Sequence, residues 1–155
     1  MTMETLEPLL AEHPFLSDMK KEYLQLLTGC ASNVRFDAGQ MIFREGDAAN
    51  HFYLIRHGKV AIELHSPERG TIILQTLDEG DVVGWSWLVA PHKWIYDARA
   101  IELTRAVALD GACLRKKCEE NTDLGYELLK RFSRVIAQRL EAARLQIINI
   151  HGPLN

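Results

Sequence analysis

Five glycine-bearing turn clusters, roughly ten residues apart, constrain this chain more than any other feature of its sequence. They are Asp37-Ala-Gly39, Glu45-Gly46-Asp47, His57-Gly58, Glu68-Arg-Gly70 and Glu79-Gly80-Asp81. Between them lie short runs rich in Val, Ile, Phe and Tyr. Turns at this density leave no room for helices of about ten residues or more, but ample room for strands. Residues 34–109 therefore predict a sandwich or barrel of short antiparallel strands. No strand alternates with a long helix, which argues against a parallel sheet. Gly46, Gly58 and Gly80 supply positive φ at turns that a β-branched residue could not adopt. His57-Gly58, between residues 52–56 and 59–64, predicts a tight hairpin. Residues 99–103 and 106–109 predict the closing strands.

The flanks follow a different period. Leu6, Leu9 and Leu10 share a helical stripe that Pro14 interrupts. Ser17 and Asp18 offer a cap for a second helix carrying Met19, Tyr23, Leu24, Leu27 and Cys30, with Gly29 as its stop. Beyond Gly111 a short helical segment, 113–120, meets the capping cluster Asn121-Thr122-Asp123. A long helix over 122–150 follows, to be ended by Gly152-Pro153. Leu129, Phe132, Ile136, Leu140, Ala143, Ile147 and Ile150 recur along it at spacings of three and four. That stripe suits packing against a twin helix in a homodimer, or covering the chain's own barrel. The chain thus divides into a helical segment 1–32, a β-barrel 33–110 and C-terminal helices 111–155.

Composition excludes several classes. The chain has 155 residues, a length that suits one domain with one core. Its net charge of −3 presents no field that attracts a polyanion, so it is not expected to bind DNA itself. No apolar run is long enough to span a bilayer, and the N-terminus lacks a signal core. A cytoplasmic protein is the expectation, and the three cysteines then read as free thiols. Cys113 and Cys118 have no second pair or histidine to complete a zinc set. No nucleophile elbow, His-Glu-x-x-His, phosphate loop or dinucleotide fingerprint is present. The six histidines are scattered. His51 and His57, facing each other across a hairpin with His65 on the next strand, are the nearest approach to a cupin-type metal site. No metal, cofactor or enzymatic activity is assigned.

The stretch Ile42-Phe-Arg-Glu-Gly46-Asp47-Ala-Ala-Asn-His-Phe52-Tyr-Leu-Ile55-Arg-His-Gly58 resembles the first signature of the cyclic-nucleotide-binding domain family. The likeness continues through Leu77-Asp-Glu-Gly80-Asp81-Val-Val-Gly84 and the closing segment 100–110. It implies a mainly β fold: an antiparallel jelly-roll β-barrel with N-terminal helices and a long C-terminal helix. It further implies a regulatory sensor whose ligand moves the last helices, acting here through a partner chain, since no helix-turn-helix follows the long helix.

The resemblance fails at the ligand site. Relatives that bind cyclic AMP carry, after the turn equivalent to Gly80-Asp81, a glutamate for the ribose and an arginine for the cyclic phosphate. A buried phosphodiester needs such a cation. Here the cassette 84–100 reads Gly84-Trp-Ser-Trp-Leu-Val-Ala-Pro-His-Lys-Trp-Ile-Tyr-Asp-Ala-Arg-Ala100. Trp85 stands at the glutamate position. Trp94 or Tyr96 stands at the arginine position. The aromatic residues either plug the site or wall a pocket for an apolar ligand, with Ser86, Trp87, Leu88, Asp97 and Arg99 as its remaining contacts. Asp97 and Arg99 alternate on a strand and share a face, so they pair with each other or offer one cation to a ligand. Arg99, aided by backbone amides of residues 86–88, is the phosphate contact if a cyclic nucleotide binds.

Overall fold

The computed structural model describes residues 3–151 and the side chains of 6–149. The expected stop at Gly152-Pro153 and the side chain of Ile150 lie outside that range. Two helices, α1 (Met3–Glu12) and α2 (Lys21–Thr28), flank a 3-10 turn (Pro14–Leu16). Eight strands follow: β1 (Ala31–Phe36), β2 (Met41–Phe43), β3 (His51–His57), β4 (Val60–Ser66), β5 (Gly70–Leu77), β6 (Val82–Val83), β7 (Asp97–Ala100) and β8 (Thr104–Asp110). Helices α3 (Gly111–Glu120) and α4 (Thr122–His151) end the description.

The strands form two four-stranded antiparallel sheets, ordered β1-β8-β3-β6 and β2-β7-β4-β5. Consecutive strands therefore mostly change sheet, as in a jelly roll, and the expected fold class stands. One expectation is corrected. His57-Gly58 closes no hairpin, because β3 and β4 lie in different sheets. Gly58 instead carries the chain across, with φ of 109°. A Cβ there would stand 2.7 Å from the Leu103 carbonyl oxygen, so the arch needs both the conformation and the missing side chain. Similarly β7 stops at Ala100, short of the expected Leu103, with the Ile101 amide still donating to Lys59 (2.9 Å), the next residue of the β4–β7 register.

The first helices also differ from expectation. Ser17 and Asp18 do not cap α2, whose N-cap is Lys20 with no side-chain hydrogen bond. Helix α2 ends at Thr28, and Cys30 leads into β1. Gly29 keeps a right-handed φ of −64°. Beside it Lys117 Nζ donates to the Leu26 carbonyl (2.7 Å) at the helix end. Cys30 and Cys113 are not free thiols. They form a disulfide, because the start of β1 and the start of α3 leave the sheet side by side, with Asp110 N–H donating to the Cys30 carbonyl at 2.9 Å. Cys118 is the free cysteine among the described residues, and burial pushes its thiol up.

The core fills the space between the sheets. Phe52, Leu54, Val60, Ile62, Val107 and Leu109 point inward from the strands. At one end Phe52 meets Trp87 (5.0 Å between centroids) and Phe132 of α4 (4.9 Å). Phe15 from the 3-10 turn closes on Phe132 at 4.8 Å. This aromatic cluster locks the N-terminal turn, the roll and the first half of α4 together. Phe132 is thus wholly buried in its own chain and cannot serve a dimer stripe. His51 and His57 share strand β3 instead of facing each other across a hairpin. Among the described residues no cluster of three or more His, Cys, Asp or Glu could hold a metal. Nor is any helix there long and apolar enough to cross a membrane.

Candidate functional site

The cassette leaves β6 at Gly84, where φ is 95°. A Cβ there would fall 2.5 Å from the Trp94 ring, so the glycine is what lets the indole lie flat against the backbone. Trp94 in turn stacks on Phe43 of β2, centroids 3.7 Å apart and rings 7° from parallel. Its backbone is pinned as well. Trp94 N–H donates to the Asp47 carbonyl (3.0 Å), and its own carbonyl accepts from Gly46 N–H (2.8 Å). The Gly46-Asp47 turn thereby fixes the far end of the cassette.

The eight cassette residues singled out from the sequence part company here. Trp87 and Trp94 are core residues. Trp85 is half-buried and Tyr96 buried, and both line a cleft of about 340 Å³. Ser86 is buried beside them and Leu88 packs on the core. Asp97 and Arg99 do share a face of β7 but do not pair with each other. Asp97 Oδ1 accepts the Glu45 N–H (2.7 Å). Arg99 grips the buried Glu63 carboxylate, Nη2 to Oε2 at 2.7 Å and Nε to both oxygens at 3.2 Å. Arg99 does not line the cleft. The amides of Leu88 and Val89 are already spent on the Trp85 and Ser86 carbonyls.

The rest of the cleft wall comes from β4 and β5 (Ile62, Leu74, Gln75), from Ile95 and from α4. Ile136, Leu140 and Ala143, read from sequence as part of a dimer stripe, are three of its α4 residues. Arg139 is the cation on this wall, and sequence reasoning missed it. Its signal was its spacing, four residues after Val135 and seven after Phe132, which puts it on the buried face of α4. Arg139 Nη2 donates to the Val82 carbonyl, while burial pulls the guanidinium below its ordinary range. Burial likewise pushes the Tyr96 phenol up to about 12, keeping it a neutral donor.

Buried polar atoms nearly always find partners. Among the described residues six buried side-chain N or O atoms have none, and four lie on the cassette: Trp85 Nε1, Ser86 Oγ, Trp87 Nε1 and Tyr96 Oη. Arg139 Nε is another. Three of the six, Trp85 Nε1, Tyr96 Oη and Arg139 Nε, belong to residues that line the cleft.

The two sheets thus form a jelly roll flanked by helices, with a cleft between the roll and its last helix. The chain belongs to the cyclic nucleotide-binding domain family, whose model matches residues 33–121. It is 32% identical over 99 residues to the cAMP-dependent protein kinase regulatory subunit of Schizosaccharomyces pombe, covering 64% of this chain and 23% of that protein. It is 27% identical over 135 residues to a CRP-like cAMP-activated global transcriptional regulator of Mycobacterium tuberculosis, covering 87% of this chain and 58% of the regulator. The chain therefore spans between a quarter and three-fifths of these curated relatives, both regulators by name. Its fold matches a cyclic nucleotide-binding domain from Methylobacillus flagellatus with a TM-score of 0.82 at 17% identity, over 98% of this chain and 86% of that one.

Proposed function

We propose that this chain is a regulatory sensor that takes an uncharged, largely apolar aromatic ligand in the cleft between the roll and α4, and signals through α4. The observation that carries this is the cleft wall: Ile62, Leu74, Trp85, Tyr96, Ile136 and Leu140, with Arg139 as its cation. Arg139 is already bonded to Val82, and Arg99 is committed to Glu63. A cyclic phosphate would enter with little to offset its desolvation, whereas a flat neutral ring would stack on Trp85 and accept from Tyr96. Occupancy would act on α4 because five of the eleven lining residues belong to that helix. Leu140 and Ile147 are 70% and 58% exposed. A twin α4 covers them in a homodimer, and output passes to a regulatory protein partner.

A second reading is cyclic-nucleotide binding itself, favoured by family membership and by Arg139 in the wall. Thermal shift with cyclic AMP, cyclic GMP and neutral heteroaromatic compounds separates the two. A ligand at about a hundred times its dissociation constant adds roughly 2.7 kcal/mol and raises the midpoint by several degrees. The expected result is a shift with neutral aromatics, abolished by Ala143→Trp, and none with either nucleotide. A nucleotide shift lost in Arg139→Gln would replace the first reading by the second. For the dimer, Leu140→Glu with Ile147→Glu is expected to give a monomer in sedimentation. A wild-type monomer at tens of micromolar would contradict it.

A further inference from the structure

We propose that Arg35, Arg56 and Arg105 form a second binding site, for a phosphate-bearing ligand, on the β1-β8-β3 surface of the roll. A concavity of about 240 Å³ lies there, lined by Asn33, Val34, Arg35, Arg56 and Arg105. It shares no residue with the cleft against α4.

The register makes the cluster costly without an anion. Arg35 is the Cα partner of Arg105 across β1 and β8. On the other side Arg105 is paired with His57, the neighbour of Arg56. Like charges directly opposite on antiparallel strands destabilise the pair. No carboxylate lines the concavity. The nearest acids serve its edges: Asp37 lies 3.5 Å from Arg35 with both side chains mostly exposed, and Glu79 lies 3.7 Å from His57. Three guanidiniums gathered in a chain of net charge −3 are therefore a local concentration and not an average basic surface. Guanidinium forks match phosphate oxygens in pairs, and three of them offer donors on several sides of one phosphate group. The space suits one or two phosphate groups.

Titration of the whole chain with inorganic phosphate and with pyrophosphate, followed by calorimetry, tests the site. Saturable binding is expected, tighter for pyrophosphate and weakened by rising salt. Arg105→Gln and Arg35→Gln are each expected to lower affinity by about tenfold or more, the loss of a charge-assisted hydrogen bond. Arg105→Lys is expected to fall between, keeping the charge without the fork. Arg144→Gln, on α4 and paired with Glu141, should bind as the parent does. Relief of repulsion should leave the unfolding midpoint of Arg105→Gln unchanged or higher. The proposal is overturned by absence of saturable binding, by unaltered binding in Arg105→Gln, by a lowered midpoint of that variant, or by a glutamate-rich peptide that binds where phosphate and pyrophosphate do not.

Discussion

The first half of α4 buries one apolar face and leaves Tyr126 and Leu129 exposed (62% and 54%), whereas among the described residues past Arg139 no apolar side chain is buried. Leu124, Leu128, Phe132 and Val135 are buried in the chain's own core. Past Arg139, Leu140, Leu145, Ile147 and Ile148 are 70%, 48%, 58% and 48% exposed. A helix of 30 residues is about 45 Å long, more than one roll can cover, so the second half runs past the core. The first half is held by the aromatic cluster and by Arg131, whose Nη1 donates to the Phe15 and Ser17 carbonyls (2.8 and 2.9 Å). The second half touches the roll chiefly through the cleft and through Gln146, which donates to the Ile73 carbonyl (2.9 Å). Stability lives in one half, and the freedom to respond lives in the other.

Substitutions can break this contrast, the largest effects falling on the anchored side. Reducing the Cys30–Cys113 disulfide, which closes a loop of sequence separation 83, is expected to cost roughly 4.5 kcal/mol by the chain-entropy relation. Denaturant unfolding with and without reductant measures it. Phe132→Ala removes the ring shared by Phe15, Phe52 and Trp87 and should cost about 3–5 kcal/mol. Leu140→Ala, eight residues on, should stay within about 0.5 kcal/mol for the monomer. Equal losses at Phe132 and Leu140 would erase the distinction. Arg99→Ala leaves Glu63 buried without its cation. With Arg99 itself 35% exposed, the expected cost is about 2 kcal/mol.

A smaller effect sharpens the contrast through pH. His13 Nδ1 accepts the Phe15 N–H (3.2 Å) and Nε2 faces the Ile55 carbonyl (3.2 Å), which fixes a neutral tautomer next to the ring cluster. Burial lowers its pKa, a pull partly opposed by that carbonyl and by Asp81. The unfolded chain therefore binds the proton more readily. Stability should be full above the ordinary histidine value of about 6.5 and decline as pH falls toward the lower folded value. His13→Gln should flatten that slope between pH 7 and 5 in urea titrations. An unchanged slope would remove His13 from the anchor.

Much of this was legible in the sequence, because glycine turns and helical periods are local signals. The run of short antiparallel strands, the long helix and the family likeness came from residues within reach of one another along the chain. What failed was long-range. The hairpin at Gly58 was misread because a tight turn and an arch between sheets use the same dipeptide. The disulfide joins residues that only the β1–β8 pairing brings together. At the site, three tryptophans in ten residues marked the right segment, but sequence alone could not divide them. Trp94 belongs to Phe43 and Gly84, Trp87 to Phe52 and Phe132, and only Trp85 reaches the cleft. The stripe on α4 reads as one surface, whereas Phe132 lies inside the core and Leu140 is exposed where the helix runs past it. Arg139 carries no mark in the sequence beyond its spacing from Phe132 and Val135, because its burial depends on the roll it packs against.

Amide hydrogen exchange along α4, followed as protein concentration rises, tests the central claim most directly. The account predicts slow exchange over 124–135 at every concentration. Over 139–149 it predicts fast exchange in dilute protein that slows as a twin helix or a cleft ligand engages. Uniform protection along the whole helix in dilute protein, or a second half that never gains protection, would contradict it.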